Sequence, residues 1–126
     1  MARIYPLFSS SKGNSTYIGD EHSGILIDCG VSFKRLSGAL ALNNIPLKAV
    51  QAVFITHEHS DHISGLKMLT KNTGIPVYGQ KRTLQRLCDS DKIAPSSPVI
   101  DMSGTAIACA DSEICCFNTP HDTIQS

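Results

Sequence analysis

The sequence predicts a layered α/β fold, a mixed sheet with helices packed against it. Three observations carry that prediction. Apolar runs of strand length alternate with stretches of helical spacing, in the order strands, helix, strand, helix, strand, helix, strands. The 126 residues suffice for one domain, residues 1–126, with a core of its own. The apolar share of 41% is ordinary for a globular chain.

The elements follow in order. Residues 2–8 read as an opening strand, and Pro6 marks it as a sheet edge. Ser9 to Ser15 reads as a small-residue loop; its composition is that of a plain turn, although such a loop can present backbone N–H groups to an anion. Thr16 to Ile18 and Gly24 to Asp28 are two strands joined by a hairpin connection at 20–23, where His22 is a solvated turn residue. Val31 to Asn43 has helical periodicity, with Phe33, Leu36 and Leu40 on one face. Pro46 opens a connection to a strand at 51–55. One amphipathic helix is expected from Ile63 to about Lys71, stopped by Asn72-Thr73-Gly74. Pro76 to Tyr78 is a short strand. Lys81 to Cys88 is a helix whose Lys81, Arg82 and Arg86 form a solvated face. After a polar connection at 89–98, Val99-Ile100, Thr105 to Ala110 and Glu113 to Asn118 read as three closing strands.

Composition narrows the function. The formal net charge is zero, so composition lends no support to nucleic-acid binding. No basic region followed by an apolar stretch opens the chain, so it does not read as a signal peptide, and no apolar run reaches membrane-spanning length. The five cysteines (Cys29, Cys88, Cys109, Cys115 and Cys116) are odd in number and form no C-x-x-C pair. That argues against a disulfide framework and a zinc knuckle, and for reduced thiols in the cytoplasm.

The chemistry concentrates in Thr56-His57-Glu58-His59-Ser60-Asp61-His62, where three of the five histidines fall within six residues. Imidazole and carboxylate together suit zinc, manganese or iron. In extended backbone, residues two apart point the same way, so His57 and His59 can grip one ion. Asp61 and His62 sit where the chain turns into the helix and can face a second position nearby. His121, just beyond the last strand, is the best donor to complete a three-histidine set. Asp28 ends an apolar run before Cys29-Gly30. It either braces a ligand loop or simply initiates a turn.

In these residues the sequence resembles the metallo-β-lactamase superfamily of hydrolases. The resemblance rests on the strand-end aspartate of Ile25-Leu26-Ile27-Asp28-Cys29-Gly30, the H-x-H-x-D-H core from His57 to His62, and His121. Ser9 to Thr16 looks like the opening of a bacterial cytoplasmic branch, associated with DNA 5′-exonuclease-like activity and cell-wall-regulating operons; Lys12 stands where that branch has a smaller residue. The resemblance implies an αββα sandwich, of which this chain looks like the N-terminal half, incomplete at the C-terminus. It implies that His57, His59 and His121 hold a first zinc ion and Asp61 and His62 a second, with Mn2+ or Fe2+ as alternatives. Asp61 would accept a proton from the attacking water, and Asp28 would support the ligands. A bridging aspartate and a final histidine belong further on; neither Asp111 nor Asp122 stands in a matching context.

The expected function is therefore metal-dependent hydrolysis of phosphodiesters, with nucleic acid as substrate. A helix beginning near Ile63 would turn its positive end toward the anionic group. A thioester or other small substrate is the second enzyme reading, and a metal-binding chain without catalysis is the third. No membrane partner is expected. Half a sandwich would expose a sheet face, through which copies of the chain would associate.

Overall fold

The computed structural model describes residues 3–10, 12–57, 59–102, 107–109 and 114–116. Six strands lie side by side in chain order: β1 (Arg3–Ser10), β2 (Gly13–Gly19), β3 (Gly24–Ile27), β4 (Val50–Phe54), β5 (Val77–Gly79) and β6 (Val99–Asp101). The first three pair antiparallel, and β3 to β6 pair parallel. Parallel neighbours need a crossover. Helix α1 (Phe33–Leu42) and a 3-10 turn at Leu47–Ala49 supply the first. Helices α2 (Ser60–Ile63) and α3 (Leu66–Thr73) supply the second, and α4 (Lys81–Asp89) the third. A separate hairpin pairs β7 (Ile107–Cys109) with β8 (Ile114–Cys116).

Strand alternation sorts the apolar residues into two layers. Tyr17, Leu26, Val53 and Val77 pack with Leu36 and Leu40 of α1, Leu66 and Leu69 of α3, and Leu84 and Leu87 of α4. The residues between them, Ile25, Ala52 and Phe54, face the other way with Ile18, Ile27, Tyr78 and Met102. All three longer helices thus cover one face, and the Phe54 and Tyr78 rings stack at 4.6 Å on the opposite one. The central strands read as continuous apolar runs because both faces are occupied.

Pro6 does lie on an edge strand, and the register of β1 slips between Pro6 and Phe8. Ser32 caps α1 by accepting the Arg35 N–H at 3.2 Å, and Gly74 ends α3 in the left-handed region with φ 70°.

Two local expectations are corrected. Of the stretch Ser9 to Ser15 read as a loop, Ser9 and Ser10 belong to β1 and Gly13 to Ser15 to β2, with Ser10 paired to Gly13 and Lys12 in the turn. Cross-strand hydrogen bonding wins over the turn preference of small residues. The helix expected from Ile63 to Lys71 is two helices, beginning three residues earlier and broken at Ser64-Gly65. The cause is a close approach. Gly65 donates its N–H to the Cys29 carbonyl at 2.9 Å, and a Cβ there would lie 1.9 Å from the Val31 carbonyl oxygen. The positive helix end expected near Ile63 is therefore divided between a four-residue α2 and the start of α3 at Leu66.

Gly65→Ala should cost about 2–3 kcal/mol, because the Val31 backbone would have to move. Gly38→Ala, in α1 with nothing within 4 Å of an added Cβ, should instead stabilise by about 0.5–1 kcal/mol. Urea unfolding midpoints of the two variants, moving in opposite directions, check this.

Burial, and then the Asp28 charge, push the Cys29 thiol from 9.0 up to about 12. The folded state keeps a proton that the unfolded chain releases, so this contribution is full below pH 9 and is lost as pH rises toward 12. Stability should fall across that window, and less steeply in Cys29→Ala. Tyr17, also pushed up to about 12 by burial, sustains the remaining slope. Unfolding curves between pH 8.5 and 11 measure both.

Candidate metal centre

β3 and β4 run parallel with Ile27 beside Phe54, so both chains leave the sheet on the same side. That is where ligand loops gather in open sheets of this kind. Asp28 extends the ladder by one residue, donating its N–H to the Phe54 carbonyl at 2.8 Å, and then turns with φ 66°. A short polar side chain tolerates this left-handed backbone better than most.

The turn is clamped from both sides. The buried Ser15 of β2 donates its hydroxyl to the Asp28 carbonyl at 2.9 Å, and Gly30 N–H donates to the Asn14 carbonyl at 2.8 Å. Across the turn, Cys29 N–H donates to the His62 carbonyl at 2.8 Å, beside the Gly65 bond to Cys29. Gly13 completes the fit, since a Cβ there would sit 2.8 Å from the Gly30 carbonyl oxygen.

Asp28, 5% exposed as a residue, gathers three donors on its carboxylate. Oδ1 accepts the Thr56 N–H at 2.7 Å. Oδ2 accepts the Thr56 hydroxyl at 2.5 Å and His62 Nδ1 at 2.7 Å. A carboxylate offers acceptors only, so Nδ1 of His62 carries the proton and the ring can meet a metal only through Nε2.

His57 follows directly, with Nδ1 2.9 Å from Thr56 Oγ1. Its ring centroid lies 4.6 Å from that of His62 and 6.3 Å from that of His59. Ligand-type atoms of Asp28, His57 and His62 all lie within 4.8 Å of one another. His57 and His59 are exposed; their rings stand 24° apart, and His59 holds the start of α2 by accepting the His62 N–H at 2.8 Å. Asp61 belongs to α2, but its side chain and all of His121 lie outside the described residues. Two accessible imidazoles above a buried carboxylate suit a divalent ion such as zinc.

Among the described residues His57 stands closer to His62 than to His59, because α2 folds His62 back over the strand ends. Two residues of this centre went without a role in the sequence reading. Thr56 links Asp28 to His57, and Ser15 holds the backbone of Asp28. The signal available for Thr56 was a hydroxyl directly before a candidate ligand, one strand away from a strand-end aspartate.

Asp28→Ala would take the carboxylate acceptor from the Thr56 N–H, the Thr56 hydroxyl and His62 Nδ1; Thr56 is exposed, so water replaces part of what it loses. The metal-free protein should lose about 1–3 kcal/mol. Asp28→Gly, at ease with a left-handed backbone, should recover about 1 kcal/mol of that loss. Urea unfolding in the presence of a chelator separates the carboxylate from the backbone strain.

Comparison with known proteins agrees with this geometry. Residues 11–103 match the family described as the Metallo-beta-lactamase superfamily. The chain is 34% identical over 121 residues to Exodeoxyribonuclease WalJ of Streptococcus pneumoniae, covering 94% of this chain and 45% of that protein. It is 30% identical over 122 residues to Exodeoxyribonuclease YycJ of Bacillus anthracis, covering 94% and 46%. It thus spans about half the length of the curated relatives it matches. Among solved structures, the metallo-beta-lactamase SMB-1 shares the fold with a TM-score of 0.66 at 16% identity, over 86% of this chain and 49% of that one. The metallo-beta-lactamase fold protein YhfI from Bacillus subtilis does so with a TM-score of 0.66 at 14% identity, over 87% and 50%. A mixed sheet helix-covered on one face, a histidine turn at its strand ends and a family match over most of its length agree: the chain belongs to the metallo-beta-lactamase superfamily.

Proposed function

We propose that this protein takes part in metal-dependent hydrolysis of phosphodiesters, with nucleic acid as substrate and exonuclease-like action. The observation that carries the reading is the Asp28–Thr56–His62 network beneath the exposed His57, at the ends of two parallel strands. The relatives named as exodeoxyribonucleases, aligned over 94% of this chain, support the choice of nucleic acid.

In this reading His57, His59 and His121 hold a first ion, and Asp61 and His62 a second. Zinc is the ion assigned, with manganese and iron as the alternatives the same donors accept. A bound divalent ion supplies Lewis acidity toward a phosphoryl oxygen and lowers the pKa of water toward neutrality. The chain's own contribution is positional. Asp28 fixes His62 and the backbone at Thr56 through the hydrogen bonds its two oxygens accept. Asp61, on α2 between His59 and His62, takes the proton of the attacking water. The free thiols of Cys29 and Cys88 support a reducing compartment, the cytoplasm. Among the described residues no helix is long and apolar enough to cross a membrane.

His57→Ala and His59→Ala should each remove the tighter-bound zinc in equilibrium dialysis with metal analysis. The unaltered protein, with zinc or manganese, should shorten a 5′-phosphorylated oligonucleotide in preference to a thioester or a β-lactam. Full metal retention by both variants, or thioester hydrolysis without oligonucleotide cleavage, would overturn the reading.

A further inference from the structure

Thr56 Oγ1 stands between two groups, 2.5 Å from Asp28 Oδ2 and 2.9 Å from His57 Nδ1. A hydroxyl has one proton to give. Asp28 offers only acceptors, and the shorter contact is the one to its carboxylate, so the hydroxyl proton lies toward Asp28. Oγ1 then faces His57 with a lone pair alone. A contact of 2.9 Å between Oγ1 and a ring nitrogen needs a proton in it, and that proton must sit on Nδ1. The arrangement has little freedom to reverse. The Thr56 N–H is held by Oδ1 of the same carboxylate at 2.7 Å, which keeps the residue in place while its hydroxyl reaches Oδ2.

We infer that Thr56 is a positioning residue: it sets His57 as the Nδ1–H tautomer and so presents the Nε2 lone pair for metal binding. Which ring nitrogen is protonated follows from the hydrogen bond the other makes, and in plain water neutral imidazole favours the proton on Nε2. Without Thr56, His57 would mostly carry its proton on the nitrogen a metal needs. The same Oδ2 atom orients His62 directly. One buried carboxylate oxygen therefore governs two rings, His62 at first hand and His57 through a hydroxyl. This makes the two positions separable: removing the hydroxyl releases His57 alone, whereas removing the carboxylate releases both.

The metal half of this inference rests on the proposed function; the tautomer half does not, because it is measured without metal. The test uses 15N-histidine-labelled, metal-free protein in long-range 1H–15N spectra at about pH 8.5, above the ordinary imidazole range. His57→Gln assigns the resonance. The unaltered protein and Thr56→Ser should show His57 protonated on Nδ1, and the isosteric Thr56→Val should show it on Nε2, with His62 unchanged in all three. Zinc affinity, read by competition with a chromophoric chelator, should fall about 10–100-fold in Thr56→Val and stay near the original in Thr56→Ser. Should Thr56→Val fail to fold, the tautomer of the unaltered protein and of Thr56→Ser still decides. An Nε2–H His57 in the unaltered protein would overturn the inference, and so would Thr56→Val with unchanged tautomer and affinity. An Nδ1–H His57 in a protein that binds no zinc would uphold the role of Thr56 and overturn the metal reading instead.

Discussion

The buried carboxylate of Asp28 is the constraint on which the rest of the centre depends. A charge taken out of water is tolerated only when its acceptor sites are filled. Here they are filled by the main chain and hydroxyl of Thr56 and by Nδ1 of His62. These donors come from a single turn, which leaves the neighbouring parallel strand and folds back through α2. Satisfying the carboxylate therefore shapes the histidine turn. An apolar residue at 28 would leave that turn without a template.

The carboxylate can act this way because its own backbone cannot move. The turn at 28–30 is bonded to β2 on one side and to the α2–α3 joint on the other. Gly13 and Gly65 let those segments approach closely enough for the bonds to form. The left-handed φ of Asp28 is the strain that this clamping sustains. A rigid base then carries exposed histidines.

The sheet beneath divides its labour by face. Helices cover Tyr17, Leu26, Val53 and Val77, while Ile25, Ala52 and Phe54 form a second apolar layer opposite. The likeness to solved metallo-beta-lactamase folds holds at 14–16% identity. At that distance what survives is the pattern of apolar faces and parallel crossovers, which many side chains can satisfy.

Much of this was written in the sequence. Strand and helix periods, the edge proline, the stop at Gly74 and the density of histidines after an apolar run are local signals, each legible within a dozen residues. They determined the α/β class and the place of the chemistry. What they left open were relations between distant segments. Ser9, Ser10 and Gly13 to Ser15 have turn composition, yet they pair as strand because β1 and β2 continue their ladder through them. The helix after the histidines breaks at Gly65 because the backbone of Val31 occupies the space a side chain would need. Asp28 read equally as a brace or a turn former, and only the parallel register of β3 with β4 decided which atoms it could reach. The place of Thr56 before a candidate ligand was a weak signal, since one hydroxyl acquires a direction only when an acceptor from 28 residues away is fixed beside it. Local sequence determines which groups are available; tertiary packing decides which of their protons and lone pairs face one another.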